Sequence, residues 1–286
     1  MTRMVFVNGE VLPADQAVIP IMDRGFLLAD GVYEVSAVLN GRLVDNEAHL
    51  ARLARSLAEI RIPNPYSTDA WTRLQTNLVS RNGLAEGLVY LQVTRGVAER
   101  DFAFPKDAKP TVVMFTQAKA ITRSALAESG AGVVTVPDLR WKRRDIKSVA
   151  LLAQVLAKQA AVEAGVAEAW MVEDGFVTEG GSSTAFIIRP DQRIVTRPLS
   201  NALLPGVTRA SVMRLAREHD LVLEERAFTI EEAHRAAEAF FTSASSFVMP
   251  VVAIDGRPIG DGRPGPLTRR LRALYFERAA APAGTD

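Results

Sequence analysis

Three stretches of the chain hold side chains that could do chemistry. The first is Arg140-Trp-Lys-Arg-Arg-Asp-Ile-Lys147. Lys147 opens the apolar run Ser148–Leu152, so its stem is free to point inward, while Arg143 and Arg144 crowd it with positive charge. Such surroundings disfavour an ammonium, and an amine relieved of its proton can form a Schiff base. The same residues fit a solvated basic face or an anion patch, and composition by itself favours that plainer reading. The second stretch is Thr178-Glu-Gly-Gly-Ser-Ser-Thr184, one carboxylate among small and hydroxyl residues. Such a loop lets a ligand approach the backbone closely; taken alone it is equally an ordinary polar turn. The third, Leu203-Leu-Pro-Gly-Val-Thr-Arg209, opens a helix. Amide N–H groups at a helix start beside a threonine hydroxyl make a phosphate seat, or else a Pro-Gly turn with a Thr cap. A lysine, a lone carboxylate, an anion seat and an additional arginine are together what a phosphorylated aldehyde cofactor needs. That combination is more specific than any of its parts.

Elements must hold these groups. Met4–Val7 and Val11–Leu12 form a hairpin about Asn8–Gly9, and the β-rich run Val32–Leu39 ends at a second such turn, Asn40–Gly41. Leu50, Leu53, Ala54, Leu57 and Ile60 repeat at helical spacing behind a cap at Asp45 or Asn46. A second helix spans Thr68–Asn82, capped by Ser67 or Thr68, with Gly83 past its end. Leu88–Thr94 and Thr111–Phe115 read as strands. A domain joint falls within Gln117–Gly130, which gives two domains, 1–120 (small, α+β) and 121–286 (larger, α/β). In the second, Gly132–Val136 is a strand and Ser148–Ala164 a long buried helix. Glu168–Glu173 pairs with Phe176–Glu179, and Thr184–Ile188 with Arg193–Thr196. A helix follows Gly206, Leu221–Glu225, Ala239–Phe241 and Phe247–Ile254 are strands, a last helix starts near Pro266, and the tail from Ala279 is frayed. Hairpins mixed with helices in both halves predict two α+β lobes rather than a doubly wound parallel sheet.

Composition narrows the function. A chain of 286 residues is one large domain or two ordinary ones, and 48% hydrophobic against 23% charged is a globular balance. Lys+Arg 34 against Asp+Glu 33 leaves +1, which argues against a protein that neutralises nucleic-acid phosphates. With Cys at 0 there are no disulfides, thiolate metal sites or cysteine nucleophiles, a composition compatible with the cytosol. His49, His219 and His234 are too widely spaced for a histidine-rich metal centre. The start MTRMVFVNGE has no signal-peptide core, and the most apolar helical stretch, Ser148–Val162, carries Gln154, Lys158 and Gln159, so no membrane span is expected. A soluble, cytoplasmic enzyme is the expectation.

The order of these residues resembles the fold-type IV pyridoxal-phosphate enzymes, and within them the D-amino acid transaminase branch. The matching stretches are Asp23-Arg-Gly-Phe, Asp30-Gly-Val-Tyr-Glu-Val35, His49-Leu-Ala-Arg52-Leu, Tyr90-Leu-Gln-Val-Thr-Arg-Gly96, Asp145-Ile-Lys-Ser148, Leu156-Ala-Lys-Gln159, Val177-Thr-Glu-Gly180 and Leu204-Pro-Gly-Val-Thr-Arg209. They are collinear from roughly Val5 to Phe276.

The resemblance implies a two-lobed α+β fold with the cofactor, pyridoxal 5′-phosphate, in a cleft between the lobes. It implies a homodimer acting on small amino acids and 2-oxo acids. Lys147 would condense with the cofactor aldehyde. Arg52 would bind the phosphate with the amides and hydroxyl of Val207 and Thr208. Glu179 would pair with the pyridine nitrogen, Leu204 would pack on the ring, and Ser182, Ser183 and Ser243 match hydroxyls near it. Tyr33 and Arg100, the latter from the partner subunit, match the contacts to the substrate carboxylate. Two departures make that carboxylate trap less polar: Phe102 replaces a histidine two positions after the arginine, and Ala244 replaces a threonine beside Ser243. Alternatives of the same fold are a branched-chain L-amino acid transaminase, an (R)-amine transaminase and aminodeoxychorismate lyase. Tyr33-Glu-Val-Ser-Ala37 lacks the glycine and arginine usual in the branched-chain enzymes, and Arg100 disfavours a pure amine enzyme. A non-catalytic binder of a phosphorylated ligand is the alternative from another class.

Overall fold

A computed structural model describes residues 2–281 of the chain. Asn8 and Gly9 both take positive φ, 50° and 104°. That suits a tight hairpin turn, and β1 (Met4–Val7) folds back on β2 (Glu10–Pro13). Then come α1 (Arg24–Leu28), β3 (Gly31–Leu39), β4 (Arg42–Leu43), α2 (Asn46–Glu59), α3 (Thr68–Arg81), β5 (Glu86–Thr94) and β6 (Thr111–Ala118). The strands form one antiparallel sheet in the order β2-β1-β6-β5-β3-β4. Leu50, Leu53 and Leu57 of α2 and Trp71 and Leu78 of α3 share a core with Val32, Leu91, Val93 and Met114 of the sheet. Ser67 caps α3, its hydroxyl accepting from the Ala70 N–H at 3.3 Å. Asp45 stands at the start of α2 but in a left-handed conformation, φ 51°, and its side chain makes no capping bond. The Asn46 amide is likewise used elsewhere, donating to Gln75 and Thr72.

By its contacts the chain divides into two units. One takes the chain up to Ala120 together with Ile146–Ala150; the other takes Ile121–Asp145 and the chain from Leu151 on. The sequence division puts Lys147 in the second domain, and the structure puts it in the first unit. The reason is main-chain pairing. The Tyr33 N–H donates to the Lys147 carbonyl (2.9 Å), the Val149 N–H donates to Gly31 (3.0 Å), and Ser148 lies opposite Val32. Backbone used in this way cannot turn into helix, so α5 is Leu152–Glu163, shorter than expected. It is not buried either: only Ala157 and Ala161 face a core, with Ala169 and Met171, and Leu152 is 74% exposed.

The second unit holds α4 (Ala125–Ser129), β7 (Ala131–Pro137), α5, β8 (Glu168–Glu173), β9 (Phe176–Gly180), β10 (Thr184–Ile188), β11 (Ile194–Thr196), α6 (Val207–Glu218), β12 (Leu223–Glu225), α7 (Ile230–His234), β13 (Glu238–Ser243), β14 (Phe247–Ile254), β15 (Arg257–Pro258) and α8 (Pro266–Ala280). Eight strands run β12-β11-β10-β13-β14-β7-β8-β9, and β15 adds to β14. Three pairings, β11/β12, β14/β7 and β7/β8, are parallel and the rest antiparallel, so the sheet is mixed. Five strand spacings separate β10 from β9 in that order, about 24 Å in a flat sheet. Only Gly181–Ser183 connect them, a reach of about 14 Å. The sheet therefore curls, and the curl sets the 180–183 turn, next to Glu179, against both strands. The helix α8 reaches Ala280 with Ala281 as its C-cap, so residues 279–281 of the expected frayed tail are ordered by the helix; the remaining 282–286 lie outside the described residues.

Candidate active site

In the first unit β3 presents Tyr33 and Glu34 to opposite faces of the sheet. Tyr33 belongs to an aromatic row, stacked at 5.6 Å on Tyr90, which stacks at 4.7 Å on Phe115. The Lys147 Nζ lies 4.2 Å from the centre of the Tyr33 ring. Among the described residues that amine has no ion pair and no hydrogen bond. On the other face Glu34 is buried between Arg52 and His49. Its Oε1 accepts from Arg52 Nε at 2.7 Å, and its Oε2 meets Arg52 Nη2 and His49 Nδ1, each at 2.8 Å. Burial works to raise the Glu34 carboxyl, but Arg52 and His49 outweigh it and hold the group well below the usual carboxylate range. Arg52 thus has a fixed guanidinium plane, set by a residue the sequence reading did not single out.

Arg100 is exposed, in the loop after β5, with its guanidinium 5.6 Å from the Phe102 ring. No hydrogen bond, ion pair or ring contact joins it to Tyr33 among the described residues. The loop is nonetheless anchored. Arg24 donates to the Asp101 carbonyl at 2.6 Å, and Arg95 lies 3.7 Å from the Phe104 ring while binding Asp30 and the Ile60 carbonyl.

In the second unit the structure brings Glu179 and Leu204 together. The buried Glu179 accepts on Oε1 from the Leu204 N–H, 3.0 Å, and from Arg140 Nη1. Arg140 is itself clamped by Asp138, Nε to Oδ1 at 3.0 Å and Nη2 to Oδ2 at 2.7 Å, and Thr178 donates to that same Asp138 at 2.6 Å. Burial pushes the Glu179 carboxyl up, and Arg140 and the Leu204 N–H oppose it. Val207 and Thr208 form the buried first turn of α6, which starts at Gly206 with no side-chain cap. A Cβ on Gly206 would sit 2.7 Å from Thr184 Oγ1, so glycine keeps this approach open. Ser182 and Ser183 both donate to the buried Glu168 (3.0 and 3.1 Å), and the Ser243 hydroxyl meets that of Ser246 at 2.6 Å. None of the three serines bonds Glu179.

The basic run is not a bare positive cluster. Arg143 pairs with Asp145, Arg144 grips Glu173 by two 2.8 Å bonds, and Lys142 reaches Glu173 at 3.1 Å. These cations are matched by carboxylates.

The family model of amino-transferase class IV matches residues 31–254. The chain belongs to the class IV aminotransferases. Among curated relatives, the D-alanine aminotransferase of Staphylococcus aureus (strain MSSA476) is 39% identical over 269 residues, 94% of this chain and 95% of that enzyme. The D-alanine aminotransferase of Bacillus licheniformis is 39% identical over 268 residues, 94% of each chain. Among solved structures, the branched-chain amino acid aminotransferase of Escherichia coli superposes with a TM-score of 0.88 at 21% identity, over 98% of this chain and 95% of that one. A hypothetical aminotransferase from Mycobacterium tuberculosis, in its PLP-bound form, gives 0.85 at 22%, over 97% and 99%. The solved structures establish the fold: two-lobed, α+β, fold type IV.

The residues present fit the cofactor this family implies. Both hydrogen bonds to Glu179 end on Oε1, so Oε2 is left for a ring N–H. The first turn of α6 has no side-chain cap, so its amides are left for a phosphate. The amine of Lys147 makes no ion pair or hydrogen bond among the described residues, so it is left for an aldehyde. Glu34, His49, Asp138 and Arg140 complete the two clusters. Glu34, His49 and Arg140 lie within the matching or basic stretches of the sequence, but only pairing between elements, not spacing, reveals what they do.

Proposed function

We propose that this aminotransferase moves the amino group of a D-amino acid, of the D-alanine type, to a 2-oxo acid such as 2-oxoglutarate or pyruvate, with pyridoxal 5′-phosphate as cofactor. What carries the reading is 39% identity to D-alanine aminotransferases over 94% of the chain. Bound pyridoxal phosphate supplies an aldehyde that condenses with amines and a ring that withdraws electrons from the substrate Cα. Lys147 would hold the aldehyde at Nζ and, once an incoming amino group displaces it, would serve as the base that carries the substrate Cα proton. The Tyr33 ring face, 4.2 Å away, steadies the amine while it carries the extra proton. Glu179 would pair with the ring N–H through Oε2. Arg52, the amides of Val207 and Thr208 and the Thr208 hydroxyl would hold the phosphate, and Leu204 would pack on the ring. Ser182, Ser183 and Ser243 supply hydroxyls around the cofactor. Tyr33 and Arg100 receive the substrate carboxylate.

The enzyme works as a cytoplasmic homodimer. Ile21, Phe26 and Phe102 are 76%, 76% and 79% exposed on a single chain. Their segments are joined by the Asp23–Val97 bridge and the Arg24 N–H bond to Gly96. An apolar surface continuous with the Arg100 loop suits a second copy of the chain. Sedimentation of the active enzyme as a monomer would refute the dimer.

The functional test supplies D-alanine and L-leucine in parallel, each with 2-oxoglutarate, to the reconstituted protein. Faster turnover of D-alanine is expected. A preference for L-leucine overturns the D-assignment, and a colourless protein that turns over neither overturns the enzyme reading.

A further inference from the structure

We propose that Arg140, itself fixed by Asp138, is a positioning residue that locks Glu179 with one carboxylate oxygen occupied and the other presented to the cofactor ring nitrogen. This rests on the role of Glu179 given above. Arg140 and Asp138 lie two residues apart on the segment leaving β7, and Glu179 is 39 residues further on, in β9. Three of the five guanidinium N–H groups are used in this geometry: Nε and Nη2 on Asp138 and Nη1 on Glu179. Asp138 is in turn held by Thr178, the residue before Glu179, and lies 3.3 Å from Arg144. The clamp therefore closes on itself. The carboxylate of Glu179 cannot turn over without breaking both the Arg140 and the Leu204 bonds. The same arrangement decides its charge. A carboxylate this deeply buried tends to take a proton, and a protonated Glu179 offers no anion to a pyridinium. Asp138, a second carboxylate held by the same arginine, adds to that tendency, and Arg140 is the cation that opposes it.

The test uses the cofactor-loaded enzyme and four variants: Arg140→Gln, Arg140→Lys, Glu179→Gln and the double Arg140→Gln/Glu179→Gln. Arg140→Gln is expected to lower kcat for D-alanine about 10- to 100-fold with KM little changed. The acid limb of its kcat profile moves to higher pH, because Glu179 then ionises later. Titration of the cofactor-free protein with pyridoxal phosphate should show weaker binding, and Arg140→Lys should recover part of both losses. Since Arg140 acts through Glu179, the double variant should match Glu179→Gln within about 2-fold, where a merely structural role would multiply the two losses. If Arg140→Gln does not fold, Arg140→Lys decides: a reduced kcat with a displaced acid limb supports the clamp, and wild-type kcat with an unmoved limb overturns it. A strong loss in Glu179→Gln with none in the Arg140 variants overturns this proposal alone. Full activity in Glu179→Gln overturns the assignment of Glu179 itself.

Discussion

Changing Glu34 to glutamine removes one charge from a buried cluster that Arg52 and His49 share. In the native protein Glu34 gives both oxygens to the Arg52 fork, at 2.7 and 2.8 Å, and touches His49 at 2.8 Å, with its side chain 1% exposed. Solvent cannot replace what is lost there. Breaking a buried ion pair from one side costs about 3–5 kcal/mol, and at about 2–4 °C per kcal/mol in a chain of this size E34Q should lower Tm by roughly 6–20 °C. The assay is scanning calorimetry of the cofactor-free protein at pH 7 and in acid. The direction with pH follows from the depressed carboxyl of Glu34. Its contribution is fully present above the ordinary carboxylate range and is lost as pH falls through the lowered native value, so the gap between wild type and variant closes in acid. Pyridoxal phosphate binding should weaken alongside, because Arg52 loses the fork that fixes its plane. A Tm within about 2 °C of wild type at pH 7 would refute the reasoning.

Three further outcomes are expected. Arg100→Ala should raise KM for D-alanine roughly 10- to 150-fold, the worth of a lost charged hydrogen bond, and leave amines without a carboxylate nearly unaffected; equal effects on both would remove Arg100 from the carboxylate site. Thr208→Val should weaken pyridoxal phosphate binding to the cofactor-free protein by a similar factor, roughly 10- to 150-fold, and unchanged affinity would move the phosphate elsewhere. Gly96 has φ 96° and a Cβ there would lie 1.8 Å from the Lys109 carbonyl oxygen. Gly96→Ala should therefore cost at least about 1–3 kcal/mol and raise KM for D-alanine by loosening the Arg100 loop; unaltered Tm and KM would contradict this.

Local signals in the sequence carried far. Asn8–Gly9, Asn40–Gly41 and Asp174–Gly175 each turn a hairpin, because such pairs accept the positive φ these turns require. The apolar stripe of α2 and the Ser67 cap of α3 were equally legible. The segment after Lys147 was not. Its apolar composition reads as helix, whereas pairing with β3, more than a hundred residues earlier, keeps it extended. The same limit applies to the site. Residue types pointed to Lys147, Glu179 and the start of α6. That Arg52 is gripped by Glu34, and that Arg140 is shared between Asp138 and Glu179, depends on contacts between elements that no spacing encodes. The short elements α1, α4, α7 and β15 have too few residues to show a period.

The central claim is that one amine, that of Lys147, carries the cofactor. Borohydride reduction of the reconstituted enzyme, followed by proteolysis and mass spectrometry, tests it directly. The account predicts loss of the visible absorbance band and a phosphopyridoxyl group on the peptide containing Lys147, with no such label in Lys147→Ala. A label on Lys142 or another lysine, or an unlabelled protein, would contradict it.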